Sequence, residues 1–148
     1  MINFRTFVFA ALALTGSLMA EKMLKLEQLP APVQKTVKEQ TLSAKMVGLS
    51  KEKEGGKTVY ELETSVDGKS RDVMIDATGA ILSVEQEVTL DSIPPAAKSA
   101  LEKKAAAGKI TKVETVTRGS EVAYEAAYTT KGGKTAEYAV KADGTPRK

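Results

Sequence analysis

The stretch KTVYELETSVDGKSRDVMIDATG, Lys57 to Gly79, decides how this chain is read. Side chains alternate across an extended backbone, so Tyr60 and Leu62 point one way and Glu61 and Glu63 the other. Asp67-Gly68 then supplies the chemistry of a tight reversal, after which Val73 and Ile75 oppose Asp72 and Met74. The segment predicts two antiparallel strands with one apolar face and one carboxylate-bearing face, closed by a further turn at Thr78-Gly79. Working outward, Gly55-Gly56 marks an earlier turn, and Leu82, Val84 and Val88 alternate with Ser83, Glu85 and Glu87 as a following strand. The strand before Gly55 is less regular, because Met46 and Leu49 are three apart, a spacing that either a bulge or a different strand boundary would produce.

Before these strands, Leu29, Val33, Val37 and Thr41 are spaced by four, which places them along one face of a helix with Lys35 and Lys38 turned elsewhere. Pro30 and Pro32 stand at its start, where a missing N–H costs little because the first turn has no internal acceptors. The same pattern returns 64 residues later: Leu29-Pro30 falls on Ile93-Pro94, Tyr60-Glu61 on Tyr124-Glu125, and the helical series on Ile93, Ala97, Leu101 and Ala105. That second helix opens on Pro94-Pro95, carries Lys98 and Lys103, and should stop near Gly108. Its strands set Val122, Tyr124, Ala126 and Tyr128 against Ala123, Glu125 and Ala127, and Tyr138 and Val140 against Glu137 and Ala139. Ile110 and Val113 repeat the irregular spacing of three. Pro146-Arg147-Lys148 occupies the place of Ile81-Leu82-Ser83, so the last strand of the second copy should be truncated. The expected fold is therefore α+β, two tandem repeats of a helix plus a four-stranded antiparallel sheet, at residues 21–89 and 90–148, with the helices packed on one sheet face. Units this small gain by packing together, so one continuous body is expected.

Residues 1–20 read as a secretory signal peptide: one early cation, Arg5, then the apolar run Phe7 to Leu14, then small residues ending at Ala20. The run is shorter than the roughly 20 residues that span a bilayer. Removal of this segment would take the net charge from +3 to about +2, which is no nucleic-acid signature. The expected location is periplasmic or secreted, with no membrane span after cleavage and no nucleic-acid partner. The chain has neither Cys nor His, which excludes thiol catalysis, disulfides, Ser-His-Asp chemistry, His-ligated haem and the common zinc sites.

Leu29-Pro30 with Tyr60-Glu61 and Asp76-Ala77-Thr78-Gly79, then Ile93-Pro94 with Tyr124-Glu125 and Ala142-Asp143-Gly144, follow in an order that resembles the PepSY-like family of beta-lactamase-inhibitor-like proteins. The resemblance covers nearly all of the chain after residue 20 and rests on the order and repetition of short motifs. It implies an antiparallel sheet packed on helices and a role in binding or restraining another exported protein, such as a hydrolase. It brings no catalytic residues and no cofactor.

Read from the residues alone, the sheet face away from the helices should carry Glu61, Glu63, Asp72, Glu85 and Glu87, with Glu125 and Glu137 from the second copy. Lys35, Lys38, Lys51, Lys53, Lys57, Lys98, Lys103 and Lys104 crowd the helices and hairpin tips instead. Such a separation would steer a basic partner toward the acidic side, more weakly as salt rises. Glu61, Glu63, Asp72, Glu85, Glu125 and Glu137 are thus the candidate partner-binding residues, although polar side chains also simply cover the wet face of any half-buried sheet. Alternating carboxylates on an open strand are solvated and have no reason to differ in pKa, which argues against acid-base catalysis. A competing reading is a calcium-responsive protein using Asp76, Thr78 or Asp143, yet the Asp/Gly pattern is that of tight turns and no helix-flanked twelve-residue loop is present. Tyr60, Tyr124, Tyr128 and Tyr138 share the phase of the apolar positions and are expected in the core, with their hydroxyls at its rim. Gly55-Gly56 and Gly132-Gly133 are hairpin turns, since no Lys-Ser/Thr helix start follows either.

Overall fold

The structure, a computed structural model, describes residues 23–147. The signal peptide expected over Met1 to Ala20 lies outside the described residues. A short 3-10 turn, Leu26–Gln28, leads into helix α1, Ala31–Gln40, and four strands: β1 (Lys45–Glu54), β2 (Lys57–Val66), β3 (Lys69–Asp76) and β4 (Ile81–Glu87). A second 3-10 turn, Leu90–Ser92, precedes α2 (Pro95–Ala105), β5 (Lys109–Arg118), β6 (Glu121–Thr129) and β7 (Thr135–Val140). The strands form one antiparallel sheet in sequence order, β1 to β7.

The fold is thus α+β, but a seven-stranded sheet replaces the expected pair of four-stranded ones. Only three strands follow α2. Where a fourth would lie, the chain makes an isolated bridge between Val140 and Pro146, and the Arg147 N–H reaches the Ala139 carbonyl at 3.0 Å. Pro146 has no N–H to extend a ladder, so the strand stops as it begins.

The described residues cluster into two compact units, one of residues 23–87 with Thr115–Glu121, the other of Val88–Glu114 with residues 122–147. In the first, α1 lays Leu29, Val33 and Val37 on Leu49, Tyr60, Leu62, Val73 and Ile75, with Leu24, Leu26 and Val84 at the margin. The register Tyr60↔Ile75, Leu62↔Val73 and Val73↔Val84 stacks these side chains in adjacent rows. Each fully buried Leu or Val among them contributes on the order of 1.5–3 kcal/mol relative to exposure. The helix begins at Pro30 and ends at Thr41, whose hydroxyl turns back to the carbonyls of Val37 (2.9 Å) and Lys38 (3.2 Å).

Two bulges shape this unit. One falls between Met46 and Gly48, so that of the two readings of the irregular spacing the bulge is the one found. The other falls between Met74 and Ile75, which pair with Ser83 and Ile81 respectively, so that Leu82 is the additional residue. Ile81 and Leu82 are exposed, and of the alternation Leu82, Val84, Val88 only Val84 joins this core. Val88 packs instead with the second unit.

In the second unit Ile93, Ala97 and Leu101 bury against Val113, Ala126 and Val140, with Ile110, Tyr124 and Tyr138 packed around them. Ile110 and Val113 therefore both face the core despite their spacing of three, and Ala105 completes the buried helical series. After α2 the chain passes so close to β6 that a Cβ at Gly108 would run into the Thr129 carbonyl. Only glycine fits there.

Candidate functional site

All six candidate carboxylates lie on the strand faces turned away from the helical cores. In the first unit, Glu63 pairs across to Asp72 and Asp72 to Glu85, giving a row of three carboxyl-bearing positions on β2, β3 and β4. Glu61 belongs to the next row, beside Met74, which in turn pairs with Ser83. Below the row, Glu87 accepts from the Ser70 N–H (3.1 Å) and hydroxyl (3.3 Å). In the second unit, Glu125 pairs with Ala139 and Glu137 with Ala127. Like charges placed directly opposite on neighbouring strands are destabilising unless other groups offset them, and Asp72 and Glu85 both take part in further interactions.

Glu63 is the exposed member, and it leans over β1: a Cβ at Gly48 would come within 2.7 Å of the Glu63 Oε2. Glu61, Asp72, Glu85, Glu125 and Glu137 are half-buried, and each takes part in a polar or electrostatic interaction. The face is therefore not a field of bare charge, as its reading from alternation suggests. Strand β5 adds cations of its own. Opposite Val113 it carries Lys112 and Glu114, whose side chains pair at 2.6 Å, and alternation continues that face through Val116 to Arg118. Sequence reasoning left these two cations out, although Val113, Thr115 and Thr117 alternating with Lys112, Glu114, Val116 and Arg118 could have placed them.

Apolar groups also lie on this side. Val59, Met74, Val116 and Ala123 alternate out of phase with the helical cores and are nevertheless buried. No tyrosine shares the face: Tyr60 and Tyr128 are buried and Tyr124 and Tyr138 half-buried on the helical sides, as their phase predicts. The lysines expected elsewhere are partly engaged. Lys98 meets Asp91 at 2.6 Å and Glu102 at 3.9 Å, Lys35 meets Glu39 at 3.9 Å, and Lys104 sits 4.9 Å from the Tyr138 ring centre.

Asp76 and Asp143 organise turns. The Asp76 Oδ1 accepts from the Thr78 hydroxyl (2.6 Å), the Thr78 N–H (2.8 Å) and the Ala80 N–H (3.0 Å). The Asp143 Oδ1 accepts from the Thr145 hydroxyl (2.6 Å) and N–H (2.9 Å). Both carboxyls are held below their ordinary value. For Asp76 the Thr78 hydroxyl is the main cause, opposed in part by burial, with the N–H groups of Ala80 and Thr78 and the charge of Lys57 adding to it. For Asp143 the Thr145 hydroxyl leads, followed by its N–H. Among the described residues no group of three or more acidic side chains is arranged to hold a metal ion. The oxygens that suggested calcium binding are serving the backbone of their own turns.

Residues 31–85 match the PepSY family model, the peptidase propeptide and YPEB domain. No curated protein matches the chain. Among solved structures, the fold is shared with a protein of Bacteroides eggerthii described as periplasmic, at TM-score 0.66 and 15% identity, covering 81% of this chain and 86% of that one. A DUF2874 family protein of Bacteroides ovatus matches at TM-score 0.63 and 18% identity, covering 81% and 85%. A BLIP-like protein of Bacteroides fragilis matches at TM-score 0.57 and 19% identity, covering 79% and 82%. No helix among the described residues is long and apolar enough to cross a membrane. The motif order and the family match over α1 to β4 agree, so residues 31–85 are similar to a PepSY domain, and the chain shares the fold of the DUF2874 and BLIP-like proteins.

Proposed function

We propose that this chain is an exported, non-catalytic binding protein that docks another periplasmic or secreted protein through the sheet face opposite α1, as an inhibitor or regulator of an envelope hydrolase or a similar target. The row Glu63–Asp72–Glu85 carries the reading, because it gathers acidic side chains on one open sheet face, with Glu63 exposed, and such a face attracts a cationic partner surface. The periplasmic and BLIP-like descriptions of the structural neighbours, together with the leader-like residues 1–20, support an exported protein that acts by binding. A tandem origin for the two halves is supported by their turns. The Gly79 N–H meets the Asp76 carbonyl at 3.0 Å and the Gly144 N–H meets the Lys141 carbonyl at 2.9 Å, each after a helix opening on proline.

The test begins with chemical crosslinking in envelope extract to identify a partner, followed by titration of the purified pair. Reversing Glu61, Glu63 and Asp72 to Lys should weaken binding by about tenfold or more and flatten its salt dependence. Unchanged affinity and unchanged salt dependence would remove the face from the function.

A further inference from the structure

On the opposite side of the same strands, the row next to the core is polar except at its β1 end: Met46, Thr64, Arg71 and Gln86 lie in register across β1 to β4, one row beyond Leu62, Val73 and Val84. Helix α1 ends above this row. Its last residue, Gln40, accepts a 2.6 Å hydrogen bond from the Arg71 Nη2. Thr64 is buried and its hydroxyl donates to the Arg71 carbonyl at 2.7 Å, while the Gln86 amide donates to the carbonyls of Ser70 (3.1 Å) and Glu87 (3.2 Å).

These bonds fix the neighbours of Arg71 but leave its charge unanswered. The guanidinium is half-buried and forms no ion pair among the described residues. Its single side-chain partner among the described residues is a neutral amide oxygen. A guanidinium presents a planar fork of donors that matches a carboxylate in two parallel hydrogen bonds, and a partly desolvated cation gains most from such a partner. The carbonyl end of α1 attracts a cation but supplies only a partial charge. Beside the row, the chain leaving α1 exposes Leu42 (86%), Met46 (40%) and Val47 (55%), the last being the bulged residue of β1. Met46 lies two strands from Arg71, about 10 Å.

We propose that Arg71 anchors a docking site for the C-terminal carboxylate of a partner polypeptide whose last residues are apolar. The carboxylate forks the guanidinium beside Gln40, and the preceding side chains cover Leu42 and Met46. A chain end fits better than an internal glutamate, because it brings acid and apolar group together without a following peptide to accommodate against α1. The site uses the helix-side row, so it is separate from the face assigned to partner docking above.

The test is an NMR titration of the 15N-labelled chain with the pentapeptide acetyl-Ala-Val-Ala-Leu-Leu as the free acid, as its C-terminal amide, and as an amide with Glu at the third position. The free acid should shift the amides of Gln40, Leu42, Met46, Arg71 and Gln86, and should bind at least about tenfold more tightly than either amide. Arg71→Gln should bring free-acid binding down to that of the amide, and Leu42→Ser should weaken both. Equal binding of acid and amide overturns the site, as do shifts confined to other residues or an absence of shifts at millimolar peptide. Tight binding of the Glu-bearing amide overturns the choice of a chain end. The comparison of peptides uses the unaltered chain, so it stands even where a variant fails to fold.

Discussion

The Thr36 hydroxyl on α1 donates a 2.6 Å hydrogen bond to the carbonyl of Gly79, in the turn between β3 and β4. Thr36 is buried at this point, and no apolar core residue can replace the contact. Substituting Val keeps the shape and strands the Gly79 carbonyl, at an expected loss of about 1–2 kcal/mol. Urea unfolding of Thr36→Val beside Thr36→Ser measures it, since Ser retains the hydroxyl and should recover most of the loss.

The same turn makes a second demand. Gly79 has φ +86°, and a Cβ there would stand 2.7 Å from the Pro32 carbonyl oxygen. Gly55 also has positive φ, at +56°, but has nothing within 4 Å. Ala at Gly55 should therefore cost only the left-handed penalty of roughly 1–2 kcal/mol, whereas Ala at Gly79 must also push α1 away and should lose clearly more. Gly144, at φ +81° and 2.7 Å from the Ala96 carbonyl oxygen, should behave like Gly79. Denaturant midpoints of the three alanine variants decide the order.

Asp76 and Asp143 set an acid limb on stability. Each titrates lower in the fold than its ordinary value of 3.8. Their contribution is therefore complete above the unfolded value and disappears as pH falls through the folded one. Asp76→Asn retains an acceptor for the turn but cannot titrate, so its melting temperature should fall less steeply than that of the unaltered chain between about pH 4 and about pH 2. Thermal melts across that range check the slope, and parallel curves would assign the acid sensitivity to other carboxyls.

Leu62 and Leu82 look equivalent in an alternating pattern but differ in the fold. Leu62 is fully buried under α1, and truncation to Ala should cost about 2–5 kcal/mol. Leu82 is 39% exposed beside a bulge. Its truncation should stay below about 1 kcal/mol. Equal losses at the two positions would mean that the bulge is misplaced.

Leu82 also shows where reading a sequence stops. Spacing by four located both helices, and every member of the series Ile93, Ala97, Leu101, Ala105 is buried. Alternation put Glu61, Glu63 and Asp72 on the side away from α1, because side-chain direction within a strand is local. Register is not local. The bulge at Met74–Ile75 depends on how β4 meets β3, and it sent Ile81 and Leu82 outward and left Val88 to the second unit. The pairing of Arg71 with Gln40 joins residues 31 apart in sequence and had no signal in either segment. Nor could alternation say that Val59 and Met74 would be buried on the far side, since it assigns a face and not what surrounds it.

The bridge between Val140 and Pro146 bears on how the chain survives in company. A terminal strand normally offers a run of free donors and acceptors on which a neighbouring molecule can polymerise. Here the outer border of β7 is met by a residue with no hydrogen to donate, and Arg147 already holds the Ala139 oxygen beside it. Pro146 and Arg147 thus act as a stopper against strand addition at that margin.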